Sequence, residues 1–173
     1  MTDVRLGSSR ETTAGVTVGE TAEPVTDAAA MDRALRLAAD AAAAAEIPVG
    51  AVVLDPERRI LSEGRNNREE TADPTGHAEI VALRAAAAAR GSWNLSGCTL
   101  VVTMEPCVMC AGAILQSRVG RVVFGAWDDK AGAAGSLYDV LRDRRLPYRA
   151  EVVGGVREAE AVALLRTFFT PRR

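Results

Sequence analysis

Four residues of this chain have the types and the spacing of a catalytic metal site. His77, the only histidine among 173 residues, is followed two positions later by Glu79. Pro106 then leads a Cys-x-x-Cys pair formed by Cys107 and Cys110. A catalytic zinc ion takes three nitrogen or sulfur ligands from the protein and keeps a fourth position for water. We therefore predict that His77, Cys107 and Cys110 bind zinc and that Glu79 lies beside the metal without binding it.

The elements that position these residues follow from the same spacing. Pro106 suits the first position of a helix, and the i, i+3 spacing of Cys107 and Cys110 turns both thiols to one side. The positive end of the helix dipole lowers the pKa of both thiols. Residues two positions apart in a helix point in roughly opposite directions. The side chains of His77 and Glu79 can therefore meet only beyond the end of a helix. The sequence thus predicts a metal across the N-termini of two helices, with Glu79 as the proton carrier.

Three other interpretations of these residues stay open. The Cys-x-x-Cys pair could be a redox pair, although such a pair needs no His-x-Glu partner. A structural zinc would need a fourth ligand, which Cys98 could supply. Cys98, however, begins the apolar run 98–103, which predicts a buried strand in which a free cysteine acts as a small hydrophobe. His77 could also be an ordinary core histidine, but its spacing to Glu79 favours a site.

Length and composition restrict the class of protein. A chain of 173 residues with 48% hydrophobic residues fits one domain with a real core. Of three cysteines, two are assigned to metal, which leaves no disulfide framework and favours a reducing, cytoplasmic compartment. We expect no membrane span and no secretory signal, since no apolar run is long enough and the first residues lack the signal pattern.

The charge is unevenly distributed. The net charge is −2, but residues 142–173 hold eight arginines and four acidic residues. This basic end is either a solvated helical face or a surface that contacts phosphate. Phe168 and Phe169 precede Arg172 and Arg173, and we expect one phenylalanine in the core and the other to stack on or clamp RNA.

The order of elements follows from periodicity and breakers. We predict a disordered tail over residues 1–26 and one domain over 27–173. Predicted helices span 28–46 (capped by Asp27), 77–90 (ended by Gly91), 107–117, 137–142 and 158–169, and predicted strands span 48–54, 59–64, 98–103, 121–125 and 148–153. The first two strands form a hairpin, and the repeated strand–helix–strand pattern implies parallel neighbours with right-handed crossovers.

Two connecting segments are expected near the site. Residues 65–74 predict an irregular loop that leads to His77, in which Asn66 contacts either a purine edge or a ribose hydroxyl, or instead closes the hairpin as an Asx turn. The glycine-rich segment 126–135 follows a strand end and is expected to fold over the zinc site. Trp93 is predicted to plug the core over a helix end.

The pattern His-x-Glu followed by Pro-Cys-x-x-Cys is a signature of zinc nucleobase deaminases. Together with the stretches 48–53, 73–77 and 125–136, it makes residues 28–171 resemble the bacterial tRNA-specific adenosine deaminase family. The resemblance implies an α/β fold of the cytidine-deaminase type, three-layered α/β/α, with a five-stranded mixed sheet and helices on both faces. It also implies a homodimer with one zinc per subunit that converts adenosine to inosine at the wobble position of a tRNA anticodon stem-loop, expected to be that of an arginine tRNA.

The same resemblance assigns roles to individual residues. It implies His77, Cys107 and Cys110 as the zinc ligands and Glu79 as the catalytic proton shuttle. The residues that it implies as substrate contacts are Asn66, Ala78 and Asp128.

Two other functions are compatible with the sequence. A zinc deaminase of a free base or nucleoside, of the guanine or cytosine type, would share the metal site without needing the basic end. A non-catalytic RNA-binding subunit is a third possibility, but such a subunit has no need of Glu79 and a complete ligand set.

Overall fold

The computed structural model describes residues 23–170 of the chain. The elements, in chain order, are α1 (Asp27–Ala43), β1 (Gly50–Leu54), β2 (Ile60–Arg65), α2 (Arg68–Thr71), α3 (Ala78–Arg90), β3 (Thr99–Met104), α4 (Val108–Gln116), β4 (Arg121–Ala126), β5 (Glu151–Val153) and α5 (Glu158–Phe169). Within this part of the chain, no helix is long and apolar enough to cross a membrane.

The strands form one five-stranded sheet in the order β2-β1-β3-β4-β5. The β1–β2 hairpin is antiparallel, β1 is also antiparallel to β3, and β3, β4 and β5 are mutually parallel neighbours. The predicted mixed sheet and hairpin are confirmed. The expected parallel pairing holds only from β3 onward, because β1 lies between β2 and β3 and meets β3 in the opposite direction.

The three-layer architecture follows from the two-residue alternation of the strands. Val52, Val101 and Val123 face α1 and α5 on one side of the sheet. Their neighbours Val53 and Val102 face the other side, where α3 and α4 pack. Each face is apolar along its length, so helices cover both sides of the sheet, as predicted.

Several predicted boundaries are wrong for local reasons. Helix α1 begins at Asp27 because Thr26, not Asp27, is its N-cap and accepts a hydrogen bond from the Ala29 N–H at 3.2 Å. Asp27 instead accepts hydrogen bonds from the guanidinium groups of Arg58 and Arg121. At the other end of this helix, the chain leaves the helix at Ala44, four residues before Pro48.

Two predicted connections also differ. The segment 65–74 contains α2, a single helical turn that ends at Ala72 in the left-handed conformation. No helix forms over 137–142, because the main chain there pairs with the preceding loop through Ala134 and Asp139. Helix α5, at 158–169, has the predicted bounds, and α3 ends as predicted at Gly91, with a φ of 64° that glycine tolerates.

The predicted tail 1–26 lies almost entirely outside the described residues. Of its last residues, Val25 donates its N–H to the Arg58 carbonyl at 2.9 Å and packs against the core. The residues just before Asp27 therefore pack with the domain. Arg172 and Arg173 also lie outside the described residues, so their predicted RNA contact remains a prediction.

The connectivity brings several strand ends to a single edge of the sheet. β3 and β4 run in parallel and end there, and β1, antiparallel to β3, begins there at Gly50. The end of β2 pairs with the start of β1, so Asn66 follows at the same edge. Open α/β sheets bind ligands at the carboxyl ends of their strands, which directs attention to this edge.

Candidate active site

His77 and Cys107 occupy equivalent positions at the starts of two helices. His77 is the N-cap of α3 and Cys107 is the N-cap of α4, and both have extended main chains. Cys110 lies one turn into α4 and is fully buried. These residues therefore lie at the N-termini of two helices, as expected.

Pro106 does not begin α4 as predicted. It precedes the N-cap, and its carbonyl accepts a hydrogen bond from Ala133 at 2.8 Å. Cys107 also forms a bridge to Gly132. Because the main chain at Pro106 and Cys107 pairs with a neighbouring loop, the helix starts only at Val108.

The side chains of His77, Cys107 and Cys110 meet at one point. The Nδ1 of His77 lies 3.7 Å from the Cys107 Sγ and 3.5 Å from the Cys110 Sγ. All three candidate ligand atoms lie within 4.8 Å of one another. Ligands of tetrahedral zinc, at about 2.1 Å for nitrogen and 2.3 Å for sulfur, are separated by roughly 3.6 Å, so this donor set fits zinc.

Cys98 does not belong to this cluster. It is buried, just before β3, and its Sγ accepts a hydrogen bond from Arg90 at the last turn of α3, whereas His77 lies at the first turn. Among residues 23–170 the metal-type cluster contains His77, Cys107 and Cys110 alone. Three protein ligands leave a fourth position free, which is the pattern of a catalytic site rather than of a structural one.

The pKa values of the Cys107 and Cys110 thiols are shifted in opposite directions when no metal is bound. A hydrogen bond from the Cys110 thiol, together with one from His77, lowers the pKa of Cys107 to about 4. The contact with Cys107, burial and the nearby Glu79 raise the pKa of Cys110, so the lowered pKa predicted for both thiols is wrong for Cys110. The hydrogen bond with Cys107 raises the pKa of His77. This pair of cysteines therefore holds one negative charge readily, and binding of a cation would release the second thiol proton.

Glu79 lies in the first turn of α3 and is 4% exposed. Burial, together with the neighbouring charge of Cys107, raises the pKa of its carboxyl group to about 7, against the opposing effects of the hydrogen bond from its own N–H, the charge of His77 and the hydrogen bond from Cys110. A carboxyl group with a pKa near neutrality can both accept and release a proton at physiological pH. These properties fit the predicted role of Glu79.

A second buried glutamate, which sequence reasoning missed, organises the loop after β4. Glu105 is 3% exposed and accepts hydrogen bonds from the N–H groups of Asp128 at 3.0 Å, Ala134 at 2.9 Å and Ser136 at 3.0 Å. The Ser136 hydroxyl closes the loop by donating to the Asp128 carbonyl. The segment 126–135 is thus held against the cysteine motif, as expected, but by a carboxylate rather than by its glycines.

A pocket of about 220 Å³ opens beside the cluster. Its lining contains predicted site residues together with apolar residues that the sequence did not single out: Ile47, Val49, Asn66, His77, Glu79, Met104, Glu105, Cys107, Asp128, Ala131, Leu165 and Phe169. Leu165 and Phe169 of α5 thus line this pocket, although α5 also packs against the sheet.

The predicted substrate contacts are placed as follows. Asn66 lines the pocket, and its Nδ2 donates to Glu46 at 3.0 Å, so the Asx-turn alternative is wrong. Asp128 also lines the pocket, and its Oδ1 accepts hydrogen bonds from the Lys130 and Ala131 N–H groups. Ala78 is fully buried with its side chain in the core, which leaves only its main chain for a substrate contact.

The predictions for Trp93 and for the two phenylalanines have different outcomes. Trp93 is 63% exposed and stacks loosely under Arg118, so it is not the predicted core plug. The end of α3 needs no such plug because the loop at Leu95 fills the core there. Phe168 is half-buried and forms an edge contact with Phe169, which is 63% exposed. The predicted core phenylalanine is therefore only partly buried, Phe169 lines the pocket, and the predicted RNA contact stays a prediction.

Comparison with known proteins identifies the family of this chain. Residues 24–126 match the family described as the cytidine and deoxycytidylate deaminase zinc-binding region. A tRNA-specific adenosine deaminase from Haemophilus influenzae is 50% identical over 143 residues, a match that covers 83% of this chain and 83% of that protein. The chain belongs to the zinc-binding cytidine and deoxycytidylate deaminases and, within them, to the family of tRNA-specific adenosine deaminases.

Two solved structures and one longer relative complete the comparison. A structure from studies of A-to-I editing by tRNA:A34 deaminases at the wobble position of transfer RNA has 38% identity and a TM-score of 0.75, and the match covers 79% of this chain and 99% of that one. A guanine deaminase from Nitrosomonas europaea has 26% identity and a TM-score of 0.76, with 87% of each chain covered. The chain also matches 24% of the length of a tRNA(Ile)-lysidine synthase from Deinococcus radiodurans, with 53% identity over 141 residues that make up 82% of this chain.

Proposed function

We propose that this chain hydrolyses adenosine to inosine at the wobble position of a tRNA anticodon. The observation that carries the proposal is the meeting of His77, Cys107 and Cys110 at one point, with the buried Glu79 in the same pocket. Membership of the tRNA-specific adenosine deaminase family supports the substrate class.

The residues divide the chemistry between them. His77, Cys107 and Cys110 would hold the metal. A bound zinc ion supplies the Lewis acidity that makes water a nucleophile near neutral pH. Glu79 takes one proton from the attacking water and delivers it to the N1 ring nitrogen, and it then takes the remaining proton of that water oxygen and delivers it to the departing amino group. Water oxygen adds to C6 and the bond from C6 to the amino nitrogen breaks, so one adenosine and one water give inosine and ammonia.

Substrate contacts are proposed for Asn66, Ala78 and Asp128. The target base must leave the stack to reach the pocket, and an unpaired anticodon base does so at a lower cost than a paired one. Asn66 and Asp128 line the pocket from two different loops, so a base between them would be held from both sides. Ala78 would contribute through its main chain, since its side chain is buried.

The RNA partner is proposed to be the anticodon stem-loop of an arginine tRNA. Several arginines of the basic C-terminal end pair within the protein, among them Arg145 with Asp143 and Arg157 with Glu160. Within the described part of the chain, Arg144, Arg149 and Arg166 form no ion pair and are exposed. These three arginines support a modest phosphate-contacting surface rather than a strongly basic one.

We also propose a cytoplasmic homodimer. An apolar groove of about 560 Å³ lies on the α3–α4 face, where Ile80, Trp93, Met109 and Ala113 line it. Exposed Trp93, at 63%, and Met109, at 36%, are unusual for a surface that stays in water. Light scattering should give twice the chain mass for the wild type and a lower mass for Trp93→Arg.

The competing function is deamination of a free base, favoured by the likeness to a guanine deaminase. The deciding experiment measures the deamination product of each substrate: inosine from an arginine-tRNA anticodon stem-loop with A at the wobble position and from free adenosine, and the xanthine base from the same RNA with G there and from free guanine. We expect inosine only from the A-bearing RNA. Equal turnover of free guanine or free adenosine by the zinc-loaded protein would contradict the tRNA substrate and leave the zinc chemistry intact.

A further inference from the structure

Glu46 is a buried carboxylate that the proposed chemistry does not use. It lies between α1 and β1 and is 2% exposed. No arginine or lysine among residues 23–170 forms an ion pair with it. Its Oε2 accepts a hydrogen bond from the Asn66 Nδ2 at 3.0 Å, and its Oε1 accepts one from the Glu70 N–H at 2.8 Å. A buried carboxylate is tolerated only when such bonds satisfy it, and both of these come from the segment that carries Asn66.

This contact fixes which end of the Asn66 amide faces the pocket. Each of the two Glu46 oxygens accepts a hydrogen bond from an N–H group, and it is the amide nitrogen of Asn66 that points to Glu46. The Oδ1 of Asn66 is therefore turned away from Glu46. Within the described residues that oxygen has no hydrogen-bond partner, although the residue is 6% exposed and lines the pocket. A substrate N–H or O–H would find an acceptor there.

Glu46 also fixes the main chain next to Asn66. Helix α2 has Asn67 as its N-cap, but the Asn67 side chain forms no capping hydrogen bond. The Glu70 N–H, at the third position of this helix, is satisfied by Glu46 instead. One carboxylate thus anchors both the Asn66 side chain and the helical turn that follows it.

We propose that Glu46 is a positioning residue for the deamination, acting through Asn66 to present the Asn66 Oδ1 as a hydrogen-bond acceptor for the substrate. The proposal rests on the proposed function, since it assigns Asn66 to substrate. Glu46→Gln removes the strict orientation, because an amide can accept from Asn66 or donate to it. The Asn66 amide can then turn over and place its nitrogen where the substrate needs an oxygen.

The test is a double-mutant cycle on zinc-loaded protein with the A-bearing stem-loop. We expect kcat/KM to fall about tenfold in Glu46→Gln and at least as much in Asn66→Ala. The double variant should be no worse than Asn66→Ala alone, because Glu46 has nothing left to orient. Zinc content and secondary structure should match those of the wild type.

A matched control is Glu63→Gln. Glu63 is also buried, at 7% exposed, but its carboxylate pairs with Arg33 of α1. Its effect on kcat/KM should multiply with that of Asn66→Ala, as for independent sites. Multiplication of the Glu46→Gln and Asn66→Ala effects, or an unchanged kcat/KM in Glu46→Gln, would overturn the proposal.

A second measurement does not depend on turnover or on the stability of Glu46→Gln. In the NMR spectrum of the wild type, the side-chain amide of Asn66, assigned by its loss in Asn66→Ala, should be shifted downfield and slow to exchange. An amide resonance typical of exposed asparagine would overturn the proposed contact. Absence of wild-type turnover beside a protected amide would instead overturn the proposed function, so the two failures are distinguishable.

Discussion

Glu79 and Glu105 line the same pocket, and both are almost completely buried. Glu79 follows the metal cluster's histidine at the start of α3, and its pKa is raised to about 7. Glu105 lies at the end of β3, and its pKa is lowered although burial alone would raise it. Two glutamate side chains that are buried to a similar extent therefore have pKa values shifted in opposite directions.

The difference comes from the hydrogen-bond donors around each carboxyl group. Burial disfavours the charged form of both residues. At Glu105 the N–H groups of Asp128, Ser136 and Ala134 outweigh burial and stabilise the carboxylate. At Glu79 burial is opposed by fewer donors, and the negative charge of Cys107 adds to it. Glu79 can thus exchange a proton, whereas Glu105 is suited to hold a loop.

The largest expected effect separates these roles. Glu79→Gln preserves shape and removes the proton carrier, so deamination should fall by about a thousandfold or more. Single-turnover inosine formation measures the loss. Zinc content and circular dichroism should be unchanged, and if turnover persists, the proton-carrier role is wrong. The wild-type measurement in the same experiment tests the non-catalytic RNA-binding alternative, which predicts no turnover from the wild type.

Glu105→Gln should affect the free energy of unfolding more than the rate of deamination. The introduced amide has one acceptor oxygen, and its NH₂ group would face an N–H that now donates to the carboxylate. We expect a loss of about 1–3 kcal/mol in the free energy of unfolding. Urea denaturation measures it, with Glu151→Gln as a control, because the Glu151 carboxylate is exposed and, among residues 23–170, pairs with Arg121 alone. Equal stability of the two variants would show that the loop does not depend on Glu105.

A smaller effect tests the fit of the loop against Glu105. A Cβ at Gly132 would lie 2.3 Å from the Glu105 Oε2 and 2.3 Å from the Ser136 Oγ. Gly132→Ala should therefore lower the free energy of unfolding by about 1–2 kcal/mol. Gly120→Ala is the control, since nothing lies within 4 Å of a Cβ there and φ is not left-handed. The comparison fails if both alanine variants unfold at the same urea concentration.

The contrast between the two glutamates also shows what the sequence could predict. His77, Glu79, Cys107 and Cys110 were identifiable because zinc chemistry restricts both residue type and spacing. Helix α5 had the predicted bounds because it has clear periodicity.

Glu46 and Glu105 could not be identified in this way. Their hydrogen bonds reach 20 residues forward to Asn66 and 23 to 31 residues forward to the loop after β4. Such contacts exist only after the sheet has brought its strand ends together. The missing helix over 137–142 has a related cause, since the long-range anchoring of Ser136 by Glu105, together with the bridge between Ala134 and Asp139, replaces helical hydrogen bonds.

The smallest effect is a pH dependence with a definite sign. The pKa of Glu105 is lowered by folding from its ordinary value of 4.5, so its charged form stabilises the fold above that pH. This stabilisation is lost as the pH falls through the lower pKa of the folded state. The difference in unfolding free energy between the wild type and Glu105→Gln should therefore be constant near neutrality and shrink below about pH 4.5. Zinc release at low pH affects both proteins and cancels in the difference, which urea denaturation at several pH values measures. A difference that stays constant down to pH 3 would mean that Glu105 acts through its shape and not through its charge.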